Sequence, residues 1–225
     1  MTTFRIGVDE AGRGAVIGPL VVAGVSFHED KLGEISTYLK KDSKGYTSNK
    51  RIELYKNITR DAEYIKYILI GPAEINDEME RGINLNFIEL RRVSEIIIDI
   101  LEKINSDRVQ ITIDSVTSRS IQCKTYIIDK IMQTNLHKRT SVLCEHRADE
   151  KYIETAAASI IAKVVRDREI EKLRKKLGDF GSGYPSDPKT RHFLIKVLKN
   201  RCGADIDLYK LIRLKWKTVK KIIGD

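Results

Sequence analysis

Cysteine, proline and tryptophan are scarce in this chain: three, four and one in 225 residues. The cysteines (Cys123, Cys144, Cys202) are odd in number and show no C-x-x-C spacing. That argues against a disulfide framework and against a zinc site, and reads as reduced, mostly buried thiols in a cytoplasmic protein. No uninterrupted apolar run approaches the ~18–20 residues that a membrane helix needs. The N-terminus has no basic stretch leading into an apolar segment, so no secretory signal is expected. The glycines at 12 and 14 form neither a G-x-G-x-x-G fingerprint nor a P-loop, which disfavours a dinucleotide-dependent dehydrogenase or a kinase. None of the four histidines (His28, His137, His146, His192) stands with a serine or cysteine in a nucleophile motif, so covalent hydrolase chemistry has no support. Internal repeats and Pro- or Ser-rich linkers are also missing.

What remains is an ordinary globular composition, 41% hydrophobic and 32% charged, long enough to bury a sizeable core. The charge is uneven. Of a net +9, residues 189–225 contribute +8, from eleven Lys or Arg against Asp205, Asp207 and Asp225. A basic end of this kind is the footprint of a polyanion binder, although charge runs are as often a solvated helical face. Both "TRHFLIKVLKN" and "LYKLIRLKWKTVKKII" carry helical apolar spacing, so the segment is expected to fold. Lys196, Lys199, Arg213, Lys215 and Lys217 are candidates to grip a duplex backbone, with Trp216 more a core anchor than a stacking platform.

Strands are expected at 4–8, 20–27, 64–70, 109–114 and 141–145, with the first three as an antiparallel meander. Helices are expected at 49–60, 86–104 (with Asn86 and Glu89 as a capping pair), 119–133 and 152–177. Ala156, Ala157, Ala158 and Ser159 give the last of these a small-residue face for close packing. The order βββαβαβα, with basic helices after it, argues for an α/β fold: a mixed sheet flanked by helices, in a catalytic domain over 1–188 and a basic helical segment over 189–225 packed on it.

Four carboxylates fall at element ends. Asp9 and Glu10 end the first strand, Asp114 ends the fourth, and Asp149 begins the long helix. If the first and fourth strands are neighbours, these oxygen donors gather in one cleft, the preference of hard cations such as Mg²⁺ or Mn²⁺. Two such ions about 3.5–4 Å apart suit phosphodiester cleavage. Taken singly, each residue has a plainer account: Asp149 as a helix cap, Asp114 as a turn former, Asp9 and Glu10 on opposite faces of a regular strand. For both to reach one site the chain must bend, which Ala11-Gly12-Arg13-Gly14 permits.

Eight blocks follow one another along the chain: "GVDEAGRGAVIGP" (7–19), "DSK" (42–44), "GPAEIN" (71–76), "MERGINLNFIE" (79–89), "TIDSV" (112–116), "HRADEKY" (146–152), "AAASIIAKVVRDR" (156–168) and "GSGYPSDPKT" (181–190). In these blocks and their order the sequence resembles ribonuclease HII (type 2 ribonuclease H) in its archaeal form. The resemblance implies a ribonuclease H-like fold and metal-dependent cleavage of the RNA strand of RNA–DNA hybrids. It also implies incision 5′ to a single ribonucleotide in duplex DNA, leaving 3′-hydroxyl and 5′-phosphate ends. The family's acidic set falls on Asp9, Glu10, Asp114 and Asp149, its Gly-Arg-Gly motif on Gly12, Arg13 and Gly14, and its sugar-sensing tyrosine on Tyr184. A 2′-hydroxyl is one donor and acceptor, and reading it needs backbone close to the sugar. Lys44 is a candidate phosphate contact. Ser159 and Lys163, one helical turn apart, are candidates to support the site or the substrate strand.

The expected partners are RNA–DNA hybrid duplex and ribonucleotide-containing DNA, with no membrane and a monomeric state. The C-terminal "KKIIGD" carries no clamp-binding peptide with paired aromatics, so a sliding-clamp partner has no clear motif. The first strand begins by residue 5, which leaves no room for the extra N-terminal domain usual in ribonuclease HIII. Two rivals remain open at this point: another ribonuclease H-like nuclease without ribose selectivity, and a hybrid-binding protein without catalysis.

Overall fold

The computed structural model describes residues 2–40, 45–115, 120–136, 139–199 and 207–224. Lys44, Cys202 and His137 lie outside them. Within them the chain forms two compact units. One takes in the chain through Ala11, Val22–Ile68 and Asn86–Val164; the other takes in Gly12–Val21, Leu69–Leu85 and the chain from Val165 on.

The first unit is organised by a mixed five-stranded sheet. Strands β1 (Thr3–Ala11), β2 (Leu20–His28), β3 (Tyr64–Ile70), β4 (Arg108–Asp114) and β5 (Thr140–Glu145) lie in the order β3-β2-β1-β4-β5. The expected neighbourhood of the first and fourth strands is present: β1 pairs parallel to β4, with Gly7 opposite Thr112 and Val8 opposite Ile113. β4 then pairs parallel to β5, ending with Asp114 opposite Glu145. The β-branched runs that suggested strands are buried on both faces at the centre, where Ile6, Val8, Ile111, Thr112 and Ile113 are all inaccessible.

Helices α1 (Leu32–Tyr38), α2 (Ser48–Asp61), α4 (Leu85–Lys103) and α5 (Ser120–Met132) belong to this unit, together with the first half of α6 (Ile153–Leu177). Two glycines set how closely helices approach the sheet. A Cβ on Gly24 of β2 would stand 2.4 Å from Ile96 of α4, and one on Gly7 of β1 would stand 2.1 Å from the Glu154 carbonyl of α6. The second contact is with backbone, which cannot swing aside. Gly7→Ala is therefore expected to lower the thermal midpoint by about 4–10 °C, the equivalent of a 2–3 kcal/mol overpacking strain, read by circular dichroism.

The first turn of α6 is also tied to β4. Thr112 donates its hydroxyl to Glu154 at 3.0 Å, and Thr155 donates to the Thr112 carbonyl at 3.4 Å. The small-residue face expected on this helix is buried throughout: Ala156, Ala157, Ala158 and Ser159 have no accessible surface.

The second unit packs α3 (Pro72–Glu80), α7 (Pro188–Lys199), α8 (Leu208–Leu211), α9 (Lys217–Ile223) and the second half of α6 around Val16, Ile17, Ile170, Phe180, Leu194 and Val219. Four local expectations are corrected. α1 and α3 are helices that the apolar spacing did not disclose. α4 starts at Leu85, so Asn86 falls inside its first turn instead of capping it, and Glu89 is fully buried. The run 208–223 is not one helix. It breaks where Ile212 pairs with Ile17 and Arg213 N–H donates to the Val16 carbonyl at 2.9 Å, backbone bonds that helix continuation would forbid.

Arg213 is not a duplex contact either. It is wholly buried, donates to the Gly18 and Arg13 carbonyls at 3.0 and 2.9 Å, and stacks on Trp216 at 5.1 Å. Lys196, Lys199, Lys215 and Lys217 are exposed, as a backbone grip requires. Among the described residues no helix is long and apolar enough to cross a membrane.

Candidate active site

Register places the carboxylates. Gly7 and Thr112 are partners facing the start of α6, so the residues two further on, Asp9 and Asp114, point to the same side. Asp9 is buried there, 6% exposed, and takes a hydrogen bond from the Ser159 hydroxyl one turn further along α6. Its Oδ1 also accepts the Glu10 N–H at 2.7 Å, which folds the side chain back along the strand. The last β1–β4 partners are Val8 and Ile113, so Glu10 lies past that pairing though still within β1. Oxygens of Asp9, Glu10 and Asp114 all lie within 4.8 Å of one another.

Asp149 stands outside that trio but close to it. It is 4% exposed and sits in a single 3-10 turn, Ala148–Glu150, ahead of α6 instead of on the long helix. Arg147 carries the chain into this turn in the left-handed region (φ 58°), a conformation uncommon for a residue with a side chain. The turn is tied to β4 by the Ala148 N–H, which donates to Asp114 Oδ1 at 3.2 Å.

The electrostatics are those of a cation site. Burial, then repulsion from Glu10 and Asp114, pushes the Asp9 carboxyl well above its ordinary range. Burial raises Asp114 too, with the Asp149 charge adding to it and the Ala148 N–H opposing it. Carboxylates gathered at such a cost are a donor set of hard oxygens, the chemistry a divalent cation takes. The residues present fit that ion.

Lys163 is half-buried one turn beyond Ser159. Lys44 falls outside the described residues.

The remaining candidates belong to the second unit, where two loops are zipped together. Val16 and Ile17 N–H groups donate to the Gly183 carbonyl at 2.8 and 3.2 Å. Gly12 turns the chain at φ 91°, and a Cβ there would stand 2.5 Å from Arg166 Nε. Gly14 differs. It is exposed, its backbone is not left-handed, and among the described residues a Cβ would meet only the Tyr184 ring at an ordinary 3.8 Å. The fold thus requires glycine at 12 and has no need of it at 14. Arg13 is half-buried, its carbonyl held by Arg213. Tyr184 is half-buried, with its ring against the Arg166 guanidinium at 4.5 Å.

Arg166 was not visible as a site residue in the sequence. It is 6% exposed, donates to the Ser182 carbonyl at 2.9 Å, stacks on Tyr184 and fills the space beside Gly12. Burial pushes its guanidinium down from the ordinary value. The only sequence signal was its place on α6, three residues after Lys163. Gly7, Glu154 and Arg147 were missed in the same way.

The ribonuclease HII family profile matches residues 6–219. Ribonuclease HII of Methanococcus maripaludis is 40% identical over 220 residues, covering 98% of this chain and 87% of that protein. The crystal structure of ribonuclease H2 from Pyrococcus horikoshii superposes with a TM-score of 0.82 at 36% identity, covering 98% of this chain and 97% of that one. The Archaeoglobus fulgidus ribonuclease HII, solved in complex with PCNA, gives 0.80 at 36% identity over 97% and 96%. A profile match over nearly the whole chain, full-length likeness to solved relatives and a carboxylate cluster at the ends of β1 and β4 converge: the chain belongs to the ribonuclease HII family.

Proposed function

We propose that this metal-dependent endoribonuclease, which hydrolyses the RNA strand of RNA–DNA hybrids, also incises duplex DNA 5′ to a single embedded ribonucleotide. In this reading Asp9, Glu10 and Asp114 hold divalent metal, Mg²⁺ or Mn²⁺, and Asp149 completes a second position. The observation that carries it is the convergence of those three carboxylates. A bound divalent cation supplies charge stabilisation at the phosphoryl group and acidifies water into a nucleophile near neutral pH.

The chain's own residues do the rest. Ser159 orients Asp9 by donating to its carboxylate, and the Ala148 N–H orients Asp114. Water attacks the phosphorus in line and the 3′-oxygen leaves, giving 3′-hydroxyl and 5′-phosphate ends. Gly12, Arg13 and Gly14 read the ribose. What supports this is Gly14: glycine that the fold does not need implies something outside the fold that must approach there. Tyr184 faces that open backbone and packs beside the sugar, while Arg13 meets a phosphate. Lys163 and Lys44 act as further phosphate contacts, and the exposed lysines of 189–225 grip the duplex with salt-dependent affinity. The Archaeoglobus complex supports a sliding clamp as a partner here as well.

The test is cleavage of duplex DNA carrying one internal ribonucleotide beside its all-DNA twin, with Mg²⁺, with Mn²⁺ and with chelator, and with Asp114→Asn as control. The expected result is a metal-dependent nick only 5′ to the ribonucleotide, lost in the variant. Equal cutting of both duplexes would remove the sugar-reading role of Gly12–Gly14 and Tyr184. Binding without cutting would remove the catalytic assignment.

A further inference from the structure

Cys123 and Cys144 stand 21 residues apart in the chain, yet their sulfurs lie 2.6 Å apart in the folded first unit. Cys123 is on the face of α5 that Ile127 and Ile131 also bury, and Cys144 is on β5, the edge strand under that helix. Both thiols are buried, at 0% and 7% exposure. Two unbonded sulfurs do not pack this closely. They are within a small side-chain rotation of the roughly 2.05 Å of an S–S bond, on elements already packed together.

We propose that Cys123 and Cys144 form a covalent modification site: an oxidisable dithiol that closes into an intramolecular disulfide on reaction with a low-molecular-weight disulfide. One cysteine, as thiolate, attacks the small disulfide, forming a protein–small-molecule mixed disulfide and releasing one small thiol. The other attacks the protein sulfur of that intermediate, forming the Cys123–Cys144 bond and releasing the second small thiol. The two protein thiols lose two protons and two electrons, and the reagent's S–S bond takes them up.

A cavity of about 330 Å³ opens between the same two elements, lined by Lys124, Ile128, Ile131, Thr140 and Val142, with neither cysteine in its wall, so the reagent reaches the pair only when α5 and β5 part locally. The hydrogen bond with Cys123 and burial hold the Cys144 thiol well above its ordinary pKa, which lowers its thiolate fraction.

The position gives the bond a consequence. Cys144 is the ladder partner of Ile113, and the next pair is Asp114 with Glu145. A staple from α5 to β5 therefore fixes the edge strand one residue short of the carboxylate cluster, and constrains the unfolded chain by closing a loop between the two elements.

The test uses the full wild-type chain, incubated with hydroxyethyl disulfide or with reductant, then denatured, alkylated and weighed intact. We expect one alkylated cysteine (Cys202) after oxidation and three after reduction, and a tryptic species linking the peptides of Cys123 and Cys144. The oxidised form should unfold about 5–10 °C higher, reversibly on reduction. Cys202→Ala keeps that shift and Cys123→Ala abolishes it. Three alkylated cysteines after oxidation, a mixed disulfide that persists on Cys123 or Cys144 (one on Cys202 being the reagent's ordinary capping of a lone thiol), or a link through Cys202 would each overturn the proposal. The wild-type mass measurement decides the matter even if the Cys123 variant folds poorly.

Discussion

Asp9→Asn is expected to slow cleavage of the RNA strand by about a thousand-fold while making the metal-free protein harder to unfold. If Asp9 holds metal as proposed, the rate loss follows from removing one charged ligand: roughly 4 kcal/mol of transition-state stabilisation is about three powers of ten. The gain in stability follows from the cluster itself. Asp9 is buried against Glu10 and Asp114, and its carboxyl is raised above the value it has in the unfolded chain. A group raised in this way contributes stability that is fully present below the ordinary carboxylate pKa, near 4, and is lost as pH rises through the folded value.

At neutral pH the ionised Asp9 therefore works against the native state unless a cation is bound. Asn keeps an oxygen for the Ser159 hydroxyl and the Glu10 N–H, yet carries no charge. In chelator at pH 7 the variant's midpoint should lie above wild type, by about 2–4 °C per kcal/mol of repulsion relieved, with the difference shrinking toward pH 4. Added Mg²⁺ or Mn²⁺ should raise the wild type and leave the variant nearly unmoved. Wild-type rates in the variant would remove Asp9 from the chemistry. A midpoint lowered in chelator would make Asp9 a structural residue, held for its bonds and not its charge.

The second large effect is expected at Arg166. Its guanidinium braces three things at once: the Tyr184 ring, the Ser182 carbonyl and the turn at Gly12. Arg166→Met keeps most of the buried volume but removes the plane and the donors. Tyr184 and the Gly12–Gly14 backbone then lose their fixed relation, and a displacement of about 1 Å at a positioned site costs on the order of a hundredfold. That loss should fall on the single-ribonucleotide duplex, where one sugar must be found, and far less on a continuous RNA–DNA hybrid, where every register offers a ribose. Arg166→Lys should not restore the difference, because an ammonium lacks the planar fork. Equal losses on both substrates, with a lowered thermal midpoint, would reduce Arg166 to a packing residue.

These two residues also mark how far the sequence could be read. Asp9, Glu10 and Asp114 were legible because carboxylates at strand ends, and the glycines after the first two, are one-dimensional signals, whereas the neighbourhood of the first and fourth strands was a condition that the β1–β4 pairing meets. The sheet was legible for the same reason, since β-branched runs bounded by turns keep their meaning without tertiary context. Arg166 and Arg213 were not. In a chain with 41 Lys and Arg, composition gives no hint that two of them are buried, and Arg213 was placed with the duplex contacts when it closes the core of its unit. Ser159 posed a choice between tight packing and site support that the pattern left open. It has no accessible surface and also bonds Asp9, so one residue answers both demands. The helix at 72–80 carried its signal, a proline at its first position after Gly71, but its apolar residues are too few to show a stripe.

The contrast between Gly12 and Gly14 reaches beyond the molecule. A side chain at position 12 meets Arg166 and the Pro19 carbonyl, and must also adopt a left-handed backbone, so the misfit is felt during folding. Among the described residues, a side chain at position 14 meets nothing but the edge of a tyrosine. That protein would keep its fold and, on the proposed function, disclose the change only in how it cleaves ribonucleotide-containing duplex. One glycine answers to the packing of its own fold, and its neighbour two residues on answers to whatever approaches from outside it.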